Sequence, residues 1–448
     1  MENKNEAMLK EQFIYNHSFG YYAIPFTIKS KKYKPFNEHI KSLISHSGES
    51  VLADSERFKA CRYVFSYIKE IYKSNNYFTI DLPALEEKMG SEELFSKLFP
   101  LKARNSTERF PATLEEISIL VFGKTKGYIL FKVNYNDMSL TQIETFSYFF
   151  RHIANSTKNN STFAEICCFI LGVKDYENFK ASKEDLTTPF YYLSFSETYV
   201  CDVLQLVCRK LEDTEKDKNA HLVCLGRGYS NLQETTEKYV DNSNYDMRFS
   251  PKPNITWVGS PNTLTCLLES EEFSSKHLTK NIENDYLCLF LTLQNQRHTL
   301  LSLMTDMVIF KNQSRKLLQI QKKLNDFKLT ESFKTVSNEY SYQNIYEQMY
   351  MILDIDNLMA DISDISTHAE EQKEKNIEKL FKIFTIAASV ETLYNIFSVL
   401  VPIIVSYIET NKMPEDFYTE LGTLSGCVIS VILLSIVFIT IPKITKRK

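Results

Sequence analysis

The sequence IFTIAASVETLYNIFSVLVPIIVSYI, from Ile383 to Ile408, is almost wholly apolar. A second apolar run, TLSGCVISVILLSIVFITI, extends from Thr423 to Ile441 and contains no charged residue. An α-helix rises 1.5 Å per residue, so each run is long enough to cross a hydrocarbon layer of roughly 30 Å. The polar residues between the two runs are too few to form a domain. Residues 383–442 are therefore predicted to form a hairpin of two transmembrane helices.

Charged residues on either side of this hairpin predict its orientation. Lysines precede the first run, and the chain ends in the basic segment 443–448. The connecting loop contains one lysine and four carboxylates: Lys412, Glu409, Glu415, Asp416 and Glu420. Basic flanks stay in the cytoplasm, so both termini of a multi-pass protein of the inner (cytoplasmic) membrane are predicted inside. The acidic loop is predicted outside, either as a cation-concentrating outer mouth or as a simple solvated turn.

The whole-chain numbers exclude several classes of protein. The 448 residues carry a net charge of only −4, with both signs well mixed, so no nucleic-acid-binding surface is expected. Nine cysteines without a C-x-x-C pair favour a reducing compartment over a disulfide framework. Phosphate-loop, dinucleotide-binding, zinc-protease and nucleophile-elbow motifs are missing, and the eight histidines are dispersed. We therefore expect no enzyme and assign no metal ligands.

Residues 1–282 combine strand and helix patterns without a repeat, which predicts an α/β or α+β cytoplasmic domain, with two subdomains as an alternative. The predicted strands are 26–28, 77–80, 117–122, 128–134, 191–195, 221–225, 255–258 and 264–268. The predicted helical segments are 56–73, 85–98 and 140–153, with a mostly buried segment at 162–173.

Residues 283–382 are predicted to form a helical stalk. Residues 287–310 are apolar, but several polar side chains interrupt them, which favours a buried soluble helix over a membrane span. Residues 316–327 continue helically, and 345–369 carry one apolar face. Since no Pro or Gly occurs between Tyr342 and Val401, one unbroken helix of roughly 60 residues is expected to run into the membrane. Its apolar face at Ile355, Leu358 and Ile362 is expected to be buried against a neighbouring helix.

The first apolar run carries a polar stripe. Its members recur at steps of three and four, which places them along one face of a helix: Glu391, Asn395, Ser398, Pro402 and Ser406. A carboxylate at membrane depth is costly and should face protein or water rather than lipid. The stripe predicts a pore lining repeated around an oligomer axis. The alternative is packing between helices, with Glu391 close enough to the cytoplasm to reach water.

A candidate ligand contact lies at Gly226-Arg227-Gly228-Tyr229. The segment follows a predicted strand and could wrap a phosphate or stack a base on Tyr229. Arg227 and Arg248 are the basic residues expected at such a site. An ordinary surface turn is the alternative.

The order of these segments resembles the CorA-type metal-ion channels, in which a cytoplasmic α/β domain and a long stalk helix precede two C-terminal spans and a basic tail. The stretch NIEKLFKIFTIAA, residues 376–388, is similar to the entry into that family's first span, and FKTVSNE, residues 333–339, is similar to its stalk. The resemblance covers residues 283–448 and implies a pentamer. The family's Gly-Met-Asn signature, which holds hydrated magnesium, is absent here. The nearest fragment, Asn411-Lys412-Met413-Pro414, lacks the glycine.

The resemblance leaves three hypotheses. Some CorA-like proteins without the signature resemble membrane effectors of type III CRISPR antiviral defence that respond to a nucleotide second messenger. The first hypothesis is therefore an oligomeric channel or membrane effector gated by a cytoplasmic ligand. The second is a divalent-cation transporter with a degenerate loop, for which magnesium is the expected ion. The third is a membrane-anchored scaffold or enzyme, and the polar stripe counts against it.

Overall fold

The computed structural model describes residues 18–27, 33–43, 61–72, 77–89, 110–122, 126–135, 138–151, 167, 170–171, 201–208, 215–227, 247–252, 254–269, 272–310, 313–410, 422 and 425–426. They form a mixed α/β structure with an eight-stranded sheet and one long apolar helix near the C-terminus. The described residues divide into two compact units. One contains those up to Ser302 together with Asp326–Met359, and the other contains Leu303–Asn325 and the residues from Ala360 onward.

The sheet belongs to the first unit. Its strands are β1 (Phe19–Thr27), β2 (Tyr77–Ile80), β3 (Thr113–Phe122), β4 (Lys126–Asn134), β5 (Asp202–Cys208), β6 (Met247–Lys252), β7 (Ile255–Ser260) and β8 (Thr263–Leu268). They lie in the order β2-β3-β4-β1-β5-β8-β7-β6. The β5–β8 pair is parallel and the other neighbouring pairs are antiparallel.

The helices are α1 (Tyr33–Leu43), α2 (Ser66–Tyr72), α3 (Leu82–Met89), α4 (Leu140–Arg151), α5 (Glu215–Arg227), α6 (Glu272–Asn281), α7 (Leu287–Ile309), α8 (Ser314–Thr330), α9 (Tyr340–Ile352) and α10 (Ile355–Thr410). A π-helical segment, Ile282–Tyr286, joins α6 to α7. The predicted mixed architecture is confirmed.

Alternating residues of β7 show which helices cover each face of the sheet. A Cβ atom added to Gly226 of α5 would lie 3.1 Å from Val258 Cβ, so α5 covers the face that carries Val258. Gly259 and Trp257 point to the other face, where a Cβ added to Gly259 would lie 3.1 Å from the Met349 Sδ of α9. The sheet is thus buried on both sides at this end.

Most predicted strands and helices are confirmed, with shifted ends. The hairpin β3–β4, the strands β2, β7 and β8, and the helices α4, α7 and α8 lie where the sequence places them. The predicted strand at 26–28 is the end of β1, and the helix predicted from residue 85 begins at Leu82. The strand predicted at 191–195 lies outside the described residues, as does most of the segment 162–173.

Two predictions of local structure are wrong, and one strand was not predicted. Residues 221–225 are helical and belong to α5, because Leu222 and Leu225, one helical turn apart, are both buried against the core. Residues 61–65 are not helical, since their backbone bonds to distant partners, with the Phe65 N–H donating to the Val336 carbonyl at 2.9 Å. β5 was not expected, because a strand buried on both faces lacks alternation.

A chain of buried hydrogen bonds ties the centre of the sheet to α5. The Tyr22 and Tyr135 hydroxyls lie 2.9 Å apart, and Tyr135 donates to Gln205 Oε1 at 2.8 Å. Gln205 Nε2 donates to Thr265 Oγ1 at 2.8 Å, and Thr265 donates to the Leu225 carbonyl at 3.1 Å. These links satisfy polar groups that would be costly to bury alone.

The polar residues that interrupt the apolar sequence of α7 explain why this helix is buried in the protein. Gln294 Nε2 and Arg297 Nη1 both donate to the Pro261 carbonyl, at 2.9 and 3.0 Å. His298 Nε2 lies 2.8 Å from Asp202 Oδ2. These three side chains thus meet partners at the β7–β8 turn and in β5, and Asn295 Nδ2 donates to Glu331 Oε2 at 3.0 Å, which confirms that this helix is buried.

The long helix expected from residue 342 is broken once. α9 ends at Ile352, and Asp354 has a φ of 56° before α10 begins at Ile355. From there α10 continues for 56 residues, or ~84 Å, and passes through Pro402. Ile355 and Ile362 are fully buried and Leu358 is half-buried, so the predicted burial of this face is already present within the single chain.

Candidate functional site

The ligand residues expected from sequence lie on the α5 face of the sheet. Arg227 is the last residue of α5, and its carbonyl accepts a hydrogen bond from Arg151 Nη1 at 3.0 Å. Arg248 stands opposite Val258 in the β6–β7 register, and Gly226 covers the same Val258. The backbone positions of Arg227 and Arg248 are therefore close to each other on one face of the sheet. Tyr229 lies outside the described residues.

A cavity of ≈ 740 Å³ lies in the first unit, on the sheet face that carries Trp257. The β6–β7 hairpin and β8 form one wall. The other walls come from α6, the π-helical segment, the start of α9 and Tyr63. Neither Arg227 nor Arg248 lines this cavity.

Four aromatic rings follow one another along the cavity wall, and we call them the aromatic row. The ring centroids of Tyr63 and Tyr342 are 4.9 Å apart with planes inclined by 23°. Tyr342 and Tyr286 are 4.4 Å apart at 16°, and Tyr286 and Trp257 are 4.4 Å apart at 42°. Trp257, Tyr286 and Tyr342 are buried, so packing holds the row in place.

The π-helical segment explains how Tyr286 reaches this row. Such segments add a residue to a helical turn, redirect side chains and are frequent at functional sites. Here the buried Asp285 carboxylate accepts the Tyr63 N–H at 3.0 Å. Glu283 forms an ion pair with Lys132 at 2.7 Å. These two contacts attach the segment to the irregular stretch before α2 and to β4.

Burial controls the ionisation of the groups beside the cavity. It raises the pKa of the Tyr286 and Tyr342 hydroxyls well above the ordinary value, and the Asp285 carboxyl acts in the same direction. Both phenols are therefore neutral at physiological pH and keep their O–H donors. Burial also raises the pKa of Asp285, and the Tyr63 N–H opposes this shift.

Polar side chains from three elements border the open side of the cavity. They are Lys252, Asn254, His277, Asn281, Glu339 and Ser341. Within the described part of the chain, the side chains of Lys252, Asn254 and His277 form no hydrogen bond or ion pair with other residues. The cavity therefore offers a fixed aromatic surface beside donors and acceptors that are free to bind a ligand.

Among the described residues, no group of three or more His, Cys, Asp or Glu side chains could hold a metal ion. The seven cysteines in the described ranges are all buried as free thiols. Burial raises the pKa of Cys224 to about 12, with a contribution from Glu144, and the pKa of Cys208 to about 12. These thiols are neutral and suit a packing role.

The second candidate site is the apolar part of α10. Its segment Ile377–Glu409 is long and apolar enough to cross a membrane. Large apolar side chains are exposed on every side of it, among them Phe384, Leu393, Phe397 and Ile404. The second predicted span, Thr423–Ile441, lies outside the described residues, apart from helical positions at 425 and 426.

The structure places the predicted polar stripe on this exposed helix. Glu391, Asn395, Ser398 and Pro402 are exposed, and Ser406 is half-buried. Ser398 Oγ donates to the Asn395 carbonyl at 2.8 Å. Of the predicted outer mouth, Glu409 is exposed near the end of α10, and Glu415, Asp416 and Glu420 lie outside the described residues.

Comparison of the chain with known protein families, curated proteins and solved structures finds no match.

Neither the aromatic row nor the cavity was predicted from the sequence. The row gathers Tyr63, Trp257, Tyr286 and Tyr342 from four separate parts of the chain. The one available signal was Trp257, the single tryptophan of the chain, within the strand-like sequence of β7.

Proposed function

We propose that the protein is an oligomeric membrane channel or membrane effector that opens when a cytoplasmic ligand binds its α/β unit. The observation that carries the proposal is the exposed polar stripe on the apolar segment of α10. A lone helix with this face would place a carboxylate and an amide in lipid. Several copies around an axis would instead direct the stripe to water, and the CorA resemblance suggests five copies.

Pro402 adds a second polar group to the same stripe. A helical residue donates its N–H to the carbonyl four positions earlier, and proline has no N–H. The Ser398 carbonyl therefore lacks its helical donor. In a bilayer such a group needs water or a neighbouring helix. This supports a shared interior surface for the stripe rather than a lipid-facing one.

The proposed orientation in the membrane is the one predicted from the distribution of charged residues. The α/β unit and both termini lie in the cytoplasm, and the acidic loop lies outside. The α/β unit carries the ligand, for which a nucleotide second messenger of antiviral defence is the proposed class. Divalent cations such as magnesium are candidate permeant ions rather than resident cofactors.

Replacement of Glu391 tests the proposal directly. The full chain would be reconstituted in liposomes, and cation flux would be compared between wild type and Glu391→Gln. If Glu391 faces an aqueous path, loss of its charge should change the rate or selectivity of flux at least severalfold. The size of the complex in detergent should stay unchanged, because a hydrated side chain contributes little to packing.

A matched control is Asp364→Asn, which removes an exposed carboxylate from the same helix before its apolar segment. It should leave flux unchanged. Glu391→Gln could instead dissociate the complex and leave flux per assembled complex unaltered. The carboxylate would then be a buried packing group, whose loss costs about 3–5 kcal/mol, and the pore-lining role would be refuted.

A further inference from the structure

We infer that the cavity beside the aromatic row binds a ligand with a flat heteroaromatic ring of the nucleoside class. This deepens the proposed function by locating the ligand of the gate. Only the gating consequence rests on that function, because binding can be measured by itself.

The cavity has the size of a small-molecule site. Its ≈ 740 Å³ lie within the range of about 300–1,000 Å³ that is typical for such pockets. It is built from elements of one compact unit. A flexible apolar ligand would need no aromatic wall, whereas a flat ring stacks on one.

The aromatic row supplies that stacking surface. Aromatic rings of proteins bind flat bases by offset stacking, which contributes about 1–3 kcal/mol per base and tolerates different bases. Tyr286 and Tyr342 are nearly parallel, at 16°, and their outer faces are covered by Trp257 and Tyr63. A ligand ring would therefore stack at the end of the row, on the half-buried Tyr63 ring, without moving the buried side chains.

The polar side chains that border the cavity can form hydrogen bonds with the edge of a ligand ring and with its substituents. Asn254 and Asn281 each offer a donor and an acceptor, as the edge of a nucleobase requires. Lys252 and His277 can donate to sugar or phosphate oxygens. Glu339 can accept from a sugar hydroxyl. This mixture suits a nucleoside better than a purely anionic ligand.

The start of α9 connects the site to the membrane helix along the chain. Ser341 and Tyr342 line the cavity and belong to α9, which the two residues Leu353 and Asp354 join to α10. A ligand stacked in the cavity would contact α9 directly. The gating proposal then requires that this contact changes the arrangement of α9 and α10.

Fluorescence of Trp257 provides a local test, because it is the only tryptophan in the chain. The full chain in detergent would be titrated with adenosine, guanosine, cytidine and uridine, and with ribose as the ringless control. At least one nucleoside should change the emission saturably, with calorimetry giving the same affinity, and ribose should not. Absence of a saturable response to all four nucleosides would overturn the inference.

Two variants locate the binding. Ser341→Phe places a ring in the cavity from its half-buried edge and should weaken binding at least tenfold. Asn254→Ala, at an exposed position that folding tolerates, should weaken it about threefold or more. Arg248→Gln, on the opposite face of the sheet, should bind as wild type does. Full binding by both cavity variants, or its loss in Arg248→Gln alone, would move the site away from the aromatic row.

Flux measurements with the nucleoside that binds can test this inference separately from the proposed function. Nucleoside binding without any nucleoside-dependent flux in liposomes would refute the gate and leave the cavity assignment standing. Ligand-dependent flux that survives Ser341→Phe would support a gate and refute this cavity as its sensor.

Discussion

The Asp202 carboxylate is completely buried at the start of β5 and holds together three parts of the first unit. Its Oδ2 lies 2.8 Å from His298 Nε2, and its Oδ1 accepts a hydrogen bond from Asn262 Nδ2 at 3.0 Å. Burial by itself would raise the pKa of Asp202. The neighbouring His298, Arg297 and Asn262 outweigh burial and hold the pKa below the ordinary value.

This lowered pKa predicts an acid-sensitive contribution to stability. A carboxyl with a depressed folded-state pKa stabilises the fold above its ordinary value, about 3.9, and loses that contribution as pH falls through the folded-state value. Asp202→Asn should lower the free energy of unfolding by up to about 3–5 kcal/mol at pH 5, since it breaks a buried pair. The difference from wild type should shrink below about pH 4.

Urea unfolding followed by Trp257 emission at pH 7, 5, 4 and 3.5 would measure this difference. Asp361→Asn, an exposed carboxylate on α10, is the control and should match wild type throughout. A variant as stable as wild type at pH 5, or a difference that grows in acid, would contradict the assignment.

At the scale of elements, the junction of α9 and α10 depends on one residue. Asp354 has a φ of 56°, in the left-handed region that costs most L-residues about 1–2 kcal/mol. Its carboxylate accepts a hydrogen bond from Asn357 Nδ2 at 2.6 Å, and its carbonyl accepts the Leu358 N–H at 3.0 Å. Asp354 thus ends one helix and begins the next.

Substitutions at Asp354 should separate these two roles. Asn tolerates the left-handed region and keeps a side-chain acceptor, so Asp354→Asn should stay within about 0.5 kcal/mol of wild type. Asp354→Ala loses both features and should be less stable by about 1–2 kcal/mol, with Asp354→Gly in between. Urea unfolding would rank the three. Equal stability of the Ala and Asn variants would show that the junction carries no strain.

The same junction shows where sequence patterns stop being informative. Helices with clear periodicity, such as α4 and α8, are predictable because burial of one face dominates their stability. The break at Asp354 gives no such signal, since neither glycine nor proline marks it. β5 was missed, and residues 221–225 of α5 were predicted as a strand, because short apolar runs do not distinguish a doubly buried strand from a helix.

The two candidate sites also differ in how far their residues can be predicted from sequence spacing. The polar stripe of α10 is local, because all its members lie on one helix and their spacing alone places them on one face. The cavity is non-local. Tyr63 reaches it only because the Asp285 carboxylate and the Val336 carbonyl bind an irregular stretch that helical propensity alone would have made regular. No spacing rule connects those residues.

At the scale of the whole molecule, the proposal depends on which face of the α10 apolar segment meets water. Asn395 belongs to the polar stripe, and Phe397 lies two residues further, about 200° around the helix. Both are exposed in the single chain and lie at nearly the same depth. In a channel assembled around an axis, the first would face the aqueous path and the second would face lipid or a neighbouring helix.

Cysteine modification distinguishes these environments. Cys168 and Cys427 would first be replaced by serine, because the other seven cysteines are buried. In liposomes, a charged water-soluble thiol reagent should modify Asn395→Cys at least tenfold faster than Phe397→Cys, since thiolate forms readily only in water. Modification at position 395 should also reduce flux, because it adds bulk to the path. Equal rates at the two positions, or faster reaction at 397, would place the polar stripe outside any aqueous path and leave the helix as an anchor.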